Sequence, residues 1–159
     1  MMKLSNRVLE MEESVTLAAS ARAAELKAQG RDIMSLTLGE PDFTTPENIQ
    51  KAAIAAIQDG KASFYTAASG LPALKDAISS YMETFYGYAV PRNQVVVATG
   101  AKFILYAAFA TLLNPGDEVI IPTPCWVSYV DQVKMVDGVP VTFQTTEAND
   151  FKATVEQLE

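Results

Sequence analysis

Apolar residues recur along this chain in two rhythms, one helical and one of unbroken short runs. An alanine-rich stretch from Val15 to Gln29 predicts a helix, with Ser14 at its N-cap and Gly30 just past its end. Ile49, Ala53, Ile54 and Ile57 share one face of a second helix. There Thr45 is placed as the cap, Pro46 at the first helical position, Glu47 in the first turn, and Gly60 as the stop. Leu71, Leu74, Ile78, Tyr81, Met82 and Phe85 keep helical spacing up to Gly87, so a third helix is predicted over 71–86. Residues 61–69 read as a loop, and residues 33–38 as a short strand.

The rhythm changes after residue 93. Gln94–Ala98, Glu118–Pro122 and Val139–Phe143 are β-rich runs predicted as buried strands. Between them lie an apolar helix from Ala101 to near Leu113 and a helix from about Trp126 to Val136. Residues 94–143 therefore read βαβαβ, which implies an α/β fold with parallel strands and helices on both faces. Residues 152–159 read as the opening of a helix with no cap. A small parallel sheet with bare edges adds to the expectation of a truncated chain, one piece of a larger protein.

Composition narrows the chemistry. Among 159 residues there are 12 basic and 19 acidic side chains, a formal charge of −7, and no histidine. The basic residues are thinly spread, which argues against nucleic acid. Without histidine there is no Ser-His-Asp triad, Cys-His dyad or imidazole zinc site. Cys125 is the single cysteine, so no intramolecular disulfide forms, as suits a reducing cytoplasm. Residues 1–13 lack the apolar core of a signal peptide, and the apolar run 103–113 is too short to span a bilayer. A cytoplasmic chain with no membrane partner is expected.

Several places could carry chemistry. The turn Thr99-Gly100-Ala101-Lys102 joins a strand to a helix N-terminus, where free N–H groups and the helix dipole attract anions; the alternative is an ordinary βα turn. Trp126 follows the next strand's carboxyl end, where open α/β sheets bind ligands; it either stacks on a planar ligand or belongs to the core. Gly39-Glu40-Pro41-Asp42-Phe43 is read first as a tight backbone turn; the alternative is a metal site on Glu40 and Asp42, which has few supporting ligands. Tyr65 is a phenolic donor to a ligand or a packing residue, and Cys125 a small buried thiol.

Taken in series, these segments resemble the fold-type I pyridoxal-phosphate aminotransferases, specifically the aspartate aminotransferase group. The resemblance rests on Leu38–Phe43 with Thr45-Pro46, and on Tyr65 with Ser69–Leu74. It continues through Thr99–Lys102, Asn114–Val119, and Pro122–Tyr129. Each motif alone is weak; five in order at family-like spacing are specific.

The resemblance implies pyridoxal 5'-phosphate as cofactor, no metal, and L-amino acid and 2-oxo acid substrates, aspartate foremost. It implies that Gly100, Ala101 and Lys102 hold the cofactor phosphate and that Trp126 stacks on the pyridine ring and lines the substrate pocket. Tyr65 would reach the phosphate of a partner subunit in a homodimer. Gly39 would offer its N–H to the substrate carboxylate, and Thr16 would contact the substrate side chain. The implied domain plan is an arm over 1–13, the first part of a small domain over 14–45, and the first part of the cofactor domain over 46–159. The Schiff-base lysine segment of the family is absent, and Lys102 matches the phosphate turn instead. The chain alone is therefore expected to have no catalytic residue and no activity. The alternatives are a non-enzymatic phosphate-binding module, a partner-dependent fragment, or a related enzyme such as a C–S lyase or an aminocyclopropane-carboxylate-synthase-like protein.

Overall fold

A computed structural model describes residues 3–9, 11 and 14–159. Met1, Met2, Glu10, Glu12 and Glu13 of the expected arm lie outside the described residues. The chain packs as two compact units, residues 1–18 with 99–159, and residues 19–98.

In the first unit, a single helical turn α1 (Asn6–Leu9) is the first helix. The helix α2 (Val15–Ala28) follows, starting where Ser14 was expected to cap it: the Leu17 N–H reaches Ser14 Oγ at 3.4 Å. Most of α2 belongs to the second unit.

The second unit continues with α3 (Glu47–Gln58) and α4 (Pro72–Tyr86). The cap expected at Thr45 does not form. Pro46 is the N-cap, extended at ψ 139°, and its carbonyl accepts from the Ile49 and Gln50 N–H groups. Thr45 serves instead through its backbone carbonyl, which the Gln50 side chain approaches. Gly87 ends α4 as expected, in the left-handed region at φ 64° with its N–H on the Glu83 carbonyl.

The strand predicted at 33–38 is an irregular segment, steadied by Ser20 Oγ donating to Thr37 Oγ1 at 3.0 Å. Residues 95–98 also form no ladder. Val95 has extended geometry, and one bond, Val97 N–H to Ser69 carbonyl at 3.0 Å, fixes the segment to the Ser69-Gly70 corner. Strand propensity needs a partner strand to become a ladder, and no described residue supplies one here.

The remainder of the first unit holds α5 (Ala101–Leu112), β1 (Glu118–Thr123), α6 (Ser128–Lys134) and β2 (Val139–Gln144). The strands pair in parallel, Glu118 beside Val139 and Thr123 beside Gln144. The expected βαβαβ run thus resolves into a two-stranded parallel sheet linked through α6. The expectation of fully buried strands is also corrected. Along β1, Val119, Ile121 and Thr123 turn inward while Glu118, Ile120 and Pro122 stay exposed, the alternation of a sheet covered on one face.

The centre of this unit is Val133 of α6, which is wholly buried. The turn after α6 closes tightly on it: a Cβ on Gly138 would lie 2.9 Å from Val133 Cγ1 and 3.2 Å from its carbonyl oxygen. The Asn114–Asp117 turn is real, with Asp117 Oδ2 accepting from the Asn114 N–H at 2.7 Å. Residues 154–157 form a capping box that opens a single turn, so the expected helix opening carries a cap but does not extend into a helix here. The Thr154 N–H donates to Gln157 Oε1 at 3.1 Å, and the Gln157 N–H to Thr154 Oγ1 at 3.3 Å.

Candidate functional site

The turn into α5 is built for an anion. Gly100 sits at φ 82° and ψ 159°, a conformation L-residues avoid, and a Cβ there would meet open space. The first bond of the helix is Ile104 N–H to the Gly100 carbonyl at 3.4 Å. The N–H groups of Ala101, Lys102 and Phe103 therefore have no acceptor among the described residues, and no side chain caps them. Three exposed donors at the positive end of a 12-residue helix can hold an oxyanion.

Trp126 stands beside this turn. Its indole ring lies 5.3 Å from Lys102 Nζ, a cation–π distance. It is half exposed, so the core alternative does not hold in this chain. The segment Pro124-Cys125-Trp126 enters α6 two residues later than expected, the helix starting at Ser128. Cys125 is a free, half-buried thiol. Together with Leu105, Phe109 and Tyr129, this segment lines an apolar cavity of about 610 Å³ along β1. A flat ring resting on Trp126 with an anionic arm toward Gly100 would use both features.

The structure thus brings Gly100, Ala101, Lys102 and Trp126 together. Thr16, on α2 in the first unit, is half-buried and its side chain makes no hydrogen bond among the described residues. Gly39 and Tyr65 belong to the second unit. Gly39 is exposed in an irregular segment with open space around its Cα, and Tyr65 is fully exposed. Among the described residues no three acidic, cysteine or histidine side chains gather to hold a metal, and no helix is long and apolar enough to cross a membrane.

One residue at this turn escaped the sequence reading. Gln132 of α6 is buried, at 7% exposure, and its Nε2 donates to the backbone carbonyl of Lys102 at 2.6 Å. Its Oε1 is buried with no hydrogen-bond partner among the described residues. A glutamine between Asp131 and Val133 gives no sequence signal beyond a polar helix position.

Known proteins match this chain in sequence and fold. The family described as aminotransferase class I and II matches residues 31–159. An asparagine–oxo-acid transaminase of Streptococcus mutans is 73% identical over 159 residues, which is all of this chain and 40% of that protein. An aspartate aminotransferase of Geobacillus stearothermophilus is 50% identical over 157 residues, 99% of this chain and 40% of that protein. Among solved structures, the aspartate aminotransferase from Rhizobium meliloti superposes with a TM-score of 0.94 at 42% identity, covering 99% of this chain and 39% of that one. The Thermus thermophilus aspartate aminotransferase with maleate gives 0.93 at 39% identity, covering 99% and 41%. The chain spans about 40% of the length of these relatives.

Proposed function

The chain belongs to the class I and II aminotransferase family, and from that premise we propose that it is the cofactor-phosphate-binding part of a pyridoxal-phosphate aminotransferase. The parent reaction moves the amino group of an L-amino acid, aspartate foremost, to a 2-oxo acid. The parent protein is a cytoplasmic homodimer. The observation that carries this reading is the open α5 N-terminus, with three unpaired N–H groups beside a half-exposed Trp126.

The residues present fit the group. A phosphate finds the Ala101, Lys102 and Phe103 N–H groups, the Lys102 ammonium and the open space at Gly100. A flat ring finds the indole of Trp126. When bound, pyridoxal phosphate supplies an electron sink for the substrate's α-carbon. This chain's part is to hold and orient: the turn fixes the phosphate, and Trp126 fixes the ring plane and lines the substrate pocket. On the same reading, the Gly39 N–H receives the substrate carboxylate, Thr16 flanks its side chain, and Tyr65 reaches a partner subunit's phosphate. The domain plan goes with it: an arm over 1–13, small-domain residues over 14–45, and cofactor-domain residues from 46 onward.

None of the eight lysines stands in the Ser-x-x-Lys context of the family's cofactor-linking lysine. Aminotransfer needs that lysine as a proton carrier. We therefore hold that these 159 residues alone bind but do not turn over. Titrating pyridoxal phosphate should quench the single tryptophan saturably, while borohydride should fix no stoichiometric lysine adduct and aspartate should not be consumed. An unquenched Trp126 would overturn the binding assignment. A stoichiometric adduct on one lysine would overturn the assignment of inactivity.

A further inference from the structure

We propose that Gln132 is a positioning residue for the phosphate turn, acting through the peptide that joins Lys102 to Phe103. The inference rests on the reading of that turn as a cofactor-phosphate site.

The geometry is specific. The N–H of that peptide belongs to Phe103 and is one of the three unpaired donors at the start of α5. The carbonyl of the same peptide belongs to Lys102 and accepts from Gln132 Nε2 at 2.6 Å. A hydrogen bond to a peptide oxygen draws electron density toward it and leaves the N–H at the other end a stronger donor. Gln132 is thus linked through one peptide unit to the place where the anion sits. It also ties α6, which follows Trp126, to the first turn of α5, so the ring-stacking and anion-holding elements keep their spacing.

The amide orientation is fixed by its neighbour. Reversing it would set Oε1 against the Lys102 carbonyl oxygen, two acceptors face to face. The orientation that works leaves Oε1 buried and unpaired. An orphaned buried acceptor is costly, and a leucine would fill the same space without it. A glutamine kept there for packing would be a poor choice; one that must donate to the Lys102 carbonyl has no apolar substitute.

The test uses the longer protein that carries this sequence, with Gln132→Leu and Gln132→Glu. Gln132→Leu lacks the donor, and Gln132→Glu lacks it at a pH where its carboxylate is ionised, while keeping the side chain's length and polarity. The dissociation constant for pyridoxal phosphate should rise by more than about twofold in Gln132→Leu, which loses both the polarised Phe103 N–H and the tie between α6 and α5, and further in Gln132→Glu. The 31P resonance of the bound phosphate and the Phe103 amide proton should both shift. The melting temperature of the cofactor-free protein should not fall in Gln132→Leu, because the orphaned acceptor is gone. Should that variant fail to fold, Gln132→Glu and the Phe103 amide decide the matter. Cofactor affinity within twofold of the parent, with unmoved 31P and Phe103 signals, would overturn the inference even if stability dropped. A parent that binds no pyridoxal phosphate would overturn the underlying reading, and this inference with it.

Discussion

Arg7 and Asp137 meet across 130 positions of sequence: Nη2 lies 2.6 Å from Oδ2, and Nε 3.4 Å from Oδ1. The pair ties the single-turn helix α1 to the turn between α6 and β2. Asp137 is also one of three described non-glycine residues at positive φ, at 62°. The turn it occupies is fixed by its neighbours, with the Gly116 N–H on the Asp137 carbonyl and the Val139 N–H on the Asp117 carbonyl, both at 2.8 Å.

Both partners are about half exposed, so the pair is a surface ion pair of small worth. Asp137→Asn keeps a residue that tolerates the left-handed region and removes only the charge. It should cost ~0.2–1 kcal/mol in urea denaturation, and the loss should vanish near 1 M salt. Asp137→Ala adds left-handed strain of roughly 1–2 kcal/mol, which salt will not remove. Equal losses for the two variants would show that the backbone there is not strained.

The buried cation of the second unit behaves differently. Lys75 is 8% exposed, and its Nζ donates to Ser69 Oγ at 2.8 Å, with no carboxylate in reach among the described residues. The Ser69 backbone carbonyl accepts from the Val97 N–H, and a Cβ on Gly70 would lie 2.8 Å from Val97 Cβ. Removing the hydroxyl by Ser69→Ala strands a buried ammonium and should cost about 1–3 kcal/mol. Lys75→Met removes the charge itself and should be neutral or stabilising. Chemical denaturation of both variants checks the asymmetry; a larger loss for Lys75→Met would contradict it.

Glycine at position 138 is a packing requirement. Val133 is wholly buried and cannot retreat from a Cβ 2.9 Å from its Cγ1, so Gly138→Ala should cost ~1–3 kcal/mol. Gly39 offers the contrast. Nothing lies within 4 Å of a Cβ built there, and Gly39→Ala should leave stability unchanged. Thermal unfolding separates the two; a destabilised Gly39→Ala would mean that the segment 38–43 is packed more closely than this structure has it.

What could be read in the sequence followed from local causes. Gly87 stops α4 and Asn114–Asp117 turns the chain because the residues that decide each feature are adjacent. The β-branched runs at 118–123 and 139–144 became strands because each found the other. Residues 33–38 and 95–98 carry similar propensity, but a ladder requires a second strand that the residue pattern does not name. The site divides the same way. Gly100 announces its turn by needing positive φ, and Trp126 follows a strand end. Gln132, thirty positions from Lys102, reveals itself only once α6 packs beside α5.

The proximity of Lys102 to Trp126 links the turn into α5 energetically to the indole that follows β1. At 5.3 Å the ammonium and indole should be coupled by about 0.5–1 kcal/mol at this exposed position. A double-mutant cycle of Lys102→Met and Trp126→Ala, read by denaturation, measures that coupling; strict additivity would show that the contact carries no energy. On the proposed cofactor reading, Trp126→Ala in the longer protein should weaken pyridoxal phosphate binding by ~1–3 kcal/mol through lost stacking. Lys102→Met should weaken it less, by ~0.3–1 kcal/mol, because the helix N–H groups still face the phosphate. That order of effects distinguishes a site held chiefly by ring stacking and backbone from one held chiefly by the lysine charge. Salt sharpens the distinction, since raising it should erode the Lys102 contribution and leave that of Trp126 intact.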